Sequence, residues 1–226
     1  MRNAPKPPAG RRALLPCACL LLVATATVAQ VDLALERGEA RTAHELAVSL
    51  EGAAGVPAEA VDELRRIRGI ELRGPWHPLL RSPEVLRRAR TMGDYLRYES
   101  ALPPELSEFL ILLTAREWTQ QYEWHAHNRI ALDAGIAPAT VTAIAEGRQP
   151  ETMTAEQATL YALFIELHRD RGVSDTTYAQ AVASLGEQGV IDAVSIVGYY
   201  TLLAMVMNTV RTPLPAGAEP GLAPLP

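Results

Sequence analysis

A chain of 226 residues with 48% hydrophobic content can bury one substantial core, and it is too short for more than one or two domains. The formal net charge of -5 is spread along its length, and the basic residues neither cluster nor alternate with aromatics. That pattern argues against a nucleic-acid partner.

Residues 1–29 read as an export signal. Arg2, Lys6, Arg11 and Arg12 precede the apolar run from Ala13 to Ala29, which is broken only by Pro16 and two threonines. Basic, then apolar, then small is the order of a secretory leader, and Thr27-Val28-Ala29 sets the expected cut after Ala29. The apolar run falls short of the roughly 20 residues a spanning helix prefers, so cleavage is favoured over an uncleaved anchor that would tether the protein to a membrane. Arg11-Arg12 leaves the route open between the general secretory and twin-arginine pathways. The expected location is periplasmic or secreted. Both cysteines of the chain, Cys17 and Cys19, lie in this leader, so the trimmed protein has no thiol for disulfides, metal thiolates or redox chemistry.

Residues 30–73 are rich in Ala, Glu and Arg and form a lead-in segment, with one short helix expected from Val56 to Arg68. The main domain is expected over 74–215. Gly74-Pro75-Trp76-His77-Pro78 is turn material, and Ser82-Pro83-Glu84 then opens a helix to about Tyr98, with Ser as cap and Pro in the first turn. Leu102-Pro103-Pro104-Glu105 opens the next, in which Leu106, Phe109, Leu110 and Leu113 form an apolar stripe. Helical pattern continues to Ala134 and stops at Gly135, a length that demands a break near Thr119.

Pro138 begins a short helix closed by Gly147, and Thr154-Ala155-Glu156-Gln157 is a capping box before a helix to Arg169. Leu160, Leu163, Phe164 and Leu167 are its expected inward face. Ser174 caps a helix ending at Gly186, and a last helix spans Val190 to Val210. That last helix is apolar nearly all round, which places it inside a bundle or between subunits; Asp192, Ser195, Thr201 and Asn208 argue against a membrane span. The Pro-, Gly- and Ala-rich stretch from Thr212 onward is read as a tail, disordered from 216 to 226. No convincing strand or repeat appears, so the fold is expected to be an all-α bundle.

Glu123 and His127 stand four apart on a helix, where their side chains share a face and can hydrogen bond. A carboxylate beside an imidazole fixes its tautomer and raises its basicity, as acid/base work near neutral pH requires. The same pair also serves as a solvated surface contact in many helices. His125 and His127 are two apart and project to opposite sides, so no shared metal ion is expected. His44, His77 and His168 have no partner pattern.

The run Glu123-x-x-x-His127-x-x-x-Ala131-x-x-x-Gly135 resembles the Glu/His/Ala/Gly pattern of the carboxymuconolactone decarboxylase family. Gly74-Pro75, Ser82-Pro83-Glu84, Leu102-Pro103, Glu108, Ala115-Arg116, Gln121-Tyr122-Glu123-Trp124 and Gly198-Tyr199-Tyr200-Thr201 extend the likeness over about two thirds of the chain. The resemblance implies an alkylhydroperoxidase D-like helical bundle, assembled as a trimer or hexamer. In the thiol peroxidases of that superfamily a Cys-x-x-Cys precedes the histidine, and its cysteines match Gln120 and Glu123 here. A family-level label of peroxiredoxin activity is therefore not expected to hold for this chain. The implied chemistry is proton transfer on a small carboxylated or lactone substrate without cofactor, carboxy-lyase-like if active.

On that reading His127 is the proton donor, Glu123 orients it and Glu108 belongs to the same relay. Arg116 would hold a substrate carboxylate, with a salt bridge to Glu108 or Glu117 as its other role. Tyr122, Trp124 and Tyr200 would line the pocket, unless they are core. The alternative is a non-catalytic oligomeric binding protein of the same fold.

Overall fold

The computed structural model describes residues 73–223. The export signal, the lead-in segment up to residue 72 and its expected helix lie outside the described residues. Within them the fold is all-α: α1 (Trp76–Leu79), α2 (Pro83–Tyr98), α3 (Pro104–Glu117), α4 (Gln121–Asp133), α5 (Pro138–Ala145), α6 (Ala155–Asp170) and α7 (Asp175–Val210).

The expected boundaries follow from local chemistry. Pro83, Pro104 and Pro138 each stand in the first turn of a helix, where a missing N–H costs nothing. Thr154 and Gln157 complete the capping box of α6, and Ser174 accepts from the Thr177 N–H to cap α7. Ser82 departs from expectation, because its side chain makes no capping hydrogen bond and Pro83 alone marks the start of α2.

The break between α3 and α4 is a reversal at Thr119, whose φ is 45°. Its N–H donates to the Arg116 carbonyl and the Gln120 N–H to the Ala115 carbonyl, the pairing that closes a helix through a left-handed residue. A β-branched residue is strained there, which makes Thr119 an outlier beside Gly135, where α4 ends at a φ of 105°. Gly186 breaks α7 with φ 73° and ψ 166°, so the two helices expected around it are arms of one bent span.

α3 is the centre of the bundle, packed against α4, α5, α6 and α7. Every residue from Leu106 to Arg116 is buried, so the expected apolar stripe widens to the whole circumference. Ser107, Glu108, Thr114 and Arg116 are buried along with Phe109, Leu110 and Leu112. This enclosure explains how a carboxylate on α3 comes to lie inside the protein.

α7 is long and apolar enough to cross a membrane, yet 56% of its most apolar window is buried inside the domain. Three of its polar interruptions are ties to neighbouring elements. Asp192 accepts from the Ala101 N–H at 2.8 Å and from the Tyr95 hydroxyl at 3.2 Å. Thr201 accepts from the Trp118 indole N–H, and Asn208 links the Gln120 side chain to the Trp118 carbonyl. Such bonds satisfy buried polar groups and fix the rotation of α7 about its axis.

The tail corrects an expectation. Residues expected to be disordered from 216 onward are placed against α4 as far as Ala223: the Gln121 side chain brackets Leu222 by accepting from its N–H and donating to its carbonyl. Leu222 is 3% exposed, which gives the otherwise polar and flexible composition an apolar anchor.

Candidate active site

The first turn of α4 is organised by Gln120. Its Oε1 accepts from the Tyr122 and Glu123 N–H groups and its Nε2 donates to Asn208 Oδ1, so the side chain caps one helix and ties it to another.

From this cap α4 directs Glu123 and His127 inward, both buried, while His125 faces solvent. The ring of His127 meets Glu108 of α3, with Nδ1 at 2.7 Å from Oε2. An ionised carboxylate only accepts, so Nδ1 carries the hydrogen and Nε2 is left as the nitrogen able to take or deliver a proton. Glu108 therefore orients His127, in place of Glu123 as the helical spacing suggested. The spacing puts two side chains on one face, but an i,i+4 pair bonds only if neither has a better partner across the packing interface.

Glu123 is 3% exposed, and neither of its carboxyl oxygens has a hydrogen-bond partner. Burial pushes its pKa well above the ordinary 4.5 and favours the neutral acid. A neutral carboxyl offers one O–H donor and one carbonyl acceptor, both unspent here.

Tyr200 on α7 closes the cluster. Its ring meets the His127 ring edge-on at 5.2 Å, and Tyr199 packs on it in the same manner. Burial raises the pKa of the Tyr200 hydroxyl. Arg97, from the last turn of α2, stands 3.8 Å from Glu108 Oε1 with its side chain 30% exposed. Nothing in the sequence marks this arginine apart from the usual preference for a base near a helix C-terminus.

Three expected site residues are placed elsewhere. Arg116 is buried, but its Nη1 donates to the carbonyls of Ala145 and Ala223 and its Nη2 to the Thr119 hydroxyl. It ties the end of α5 and the tail to α3, leaves its buried Nε without a partner, and among the described residues forms no salt bridge to Glu108 or Glu117. Trp124 is core, with Gly221 of the tail packed on its indole. Tyr122 is half-buried and lines a cavity of about 350 Å³ with Gly74, His77 and tail residues, to which Glu108, Glu123 and His127 contribute nothing.

The sequence-predicted trio of Glu108, Glu123 and His127 is thus buried together with Tyr200, with Arg97 at its edge. A carboxylate-oriented imidazole beside a carboxyl held neutral is a base and an acid whose protonation is set apart by environment. No protein-family model matches the chain, and no curated protein matches it in sequence.

Proposed function

We propose that this protein performs cofactor-independent acid/base chemistry on a small carboxylated or lactone substrate, in the manner of a carboxymuconolactone decarboxylase. The observation that carries the reading is the buried Glu123 carboxyl with both oxygens unpartnered, one helical turn before an imidazole held by Glu108. A buried polar group without a partner costs stability, on the order of 1–3 kcal/mol, so its retention points to a use.

In the proposed reaction the substrate's carbon–carbon bond to a carboxylate breaks and carbon dioxide leaves. The electron pair stays on the adjacent carbon, which takes a proton from His127 Nε2 or from Glu123. Glu108 keeps the ring oriented and stabilises the imidazolium when His127 is charged. Thiol peroxidase chemistry has no place in this scheme, since Gln120 and Glu123 stand where that chemistry needs cysteines.

The test is incubation of the mature chain with γ-lactone carboxylates in deuterated water, following carbon dioxide release and deuterium at carbon. Turnover should vanish in His127→Ala while circular dichroism and molecular size stay unchanged. A rate untouched by that substitution removes the proposed acid.

A second reading, a non-catalytic oligomeric binder of alkylhydroperoxidase D-like fold, draws support from α7. Ile191 at 63%, Leu202 at 40% and Met205 at 48% exposure fall on one face with the exposed Gly198. An exposed apolar row of this kind suits a homo-oligomer, trimer or hexamer. Sedimentation of the mature chain as a monomer at every concentration would remove that reading. The leader assigns the protein to an exported location, and periplasmic or culture-medium recovery of a chain beginning at Gln30 tests it.

A further inference from the structure

The acid/base cluster contains an arginine that no part of the folded domain employs as a donor. Among the described residues the Arg97 side chain makes no hydrogen bond: its Nη2 lies 3.8 Å from Glu108 Oε1, an ion-pair distance beyond donor reach, and its guanidinium stands 5.8 Å over the Tyr98 ring. Arg116, the cation that sequence spacing offered for substrate recognition, has its two terminal nitrogens committed to Ala145, Ala223 and Thr119, and only its buried Nε has no partner. With its side chain 30% exposed, Arg97 stands between solvent and the Glu108 carboxyl, which is 5% exposed.

We propose that Arg97 is the substrate-recognising residue of this site and that it takes the carboxylate of a small monoanion. The inference rests on the acid/base reading above and names what that site selects. A planar guanidinium offers two parallel N–H donors that match the two oxygens of a carboxylate. The neighbouring Glu108 carboxylate offsets much of the arginine's charge, so the site suits one negative charge better than the two of a phosphate. Glu108 lies 3.8 Å from Arg97 and 2.7 Å from His127, so a ligand held by the guanidinium can present its other end toward the imidazole.

Binding, which needs no turnover, is the test. Acetate, benzoate and 5-oxotetrahydrofuran-2-carboxylate are titrated into the mature chain by calorimetry, each beside its methyl ester, with inorganic phosphate as a further arm. At least one acid should bind more tightly than its ester and than phosphate. Arg97→Gln should weaken that acid about ten- to a hundredfold and leave the ester unchanged, with Arg97→Lys between the two. Equal binding of acid and ester, tighter binding of phosphate, no binding by any acid, or acid binding indifferent to Arg97→Gln each overturns the proposal. His127→Ala separates the two claims, because it should keep acid binding while abolishing turnover. Arg97-dependent acid binding by a protein that turns over no lactone would sink the catalytic reading and leave the recognition role standing.

Discussion

Glu108 and His127, nineteen residues apart in sequence, meet at 2.7 Å across the α3–α4 interface, inside a domain where both are almost fully buried. Glu123, on the same helix as His127, is left without a partner. In the proposed reaction the three groups have distinct duties: one orients, one shuttles a proton, and one stores it. Each duty predicts a different response to substitution.

Replacing Glu108 should be felt through His127. Glu108→Gln keeps an acceptor but removes the charge that supports the imidazolium, and turnover should fall about a hundredfold. Glu108→Ala also strands the Nδ1–H inside the fold, at a cost of about 1–3 kcal/mol in urea unfolding. Wild-type turnover in both variants would remove Glu108 from the relay.

Stability should depend on pH through Glu123. Below about 4.5 its carboxyl is protonated in the folded and the unfolded chain alike. Above that value the unfolded chain ionises while burial keeps the folded one neutral, so this group makes the protein less stable as pH rises until its raised folded value is passed. Glu123→Gln abolishes the effect. Urea midpoints measured from pH 4 to 8 should show the variant gaining on the wild type with rising pH, by at most ~1.4 kcal/mol per pH unit, the limit for one proton. Parallel curves would mean that Glu123 ionises as freely inside the domain as outside it.

Gln120 should behave as a cap. Gln120→Ala removes acceptors from two N–H groups and the tie to Asn208, and should cost about 1–2 kcal/mol without changing the pH dependence of any activity.

The tail should stabilise the domain. Deleting residues 216–226 exposes Leu222's site, frees Gln121 and leaves Arg116 Nη1 with Ala145 alone. The melting temperature should drop by about 5–10 °C. Gly221→Val is the finer probe, since even a Cβ at that position would come within 2.6 Å of Trp124. An unchanged melting temperature in both would show that the strap is not held in solution.

Much of the architecture was readable from residues close together in the chain. Prolines in first turns, the Thr154 capping box, Gly135 and the need for a break near Thr119 are local signals, and they set most helix limits among the described residues, although the stretch read as turn from Gly74 to Pro78 enters the short helix α1. The disordered reading of the tail failed for a complementary reason: Pro, Gly and Ala composition describes the segment, whereas Leu222 and the facing Gln121 and Trp124 decide whether it has somewhere to pack.

The sequence by itself determined that the domain is helical, where most helices begin and end, and that Glu108, Glu123 and His127 are the residues to watch. Only the tertiary structure decided which carboxylate holds the imidazole, that Arg116 is spent on main-chain carbonyls, and that Arg97 stands beside the cluster. The reason is physical. Helix limits depend on a few neighbouring residues, but the partner of a buried charge depends on which helix is packed against it, and α3 became the enclosed centre only when four other helices surrounded it.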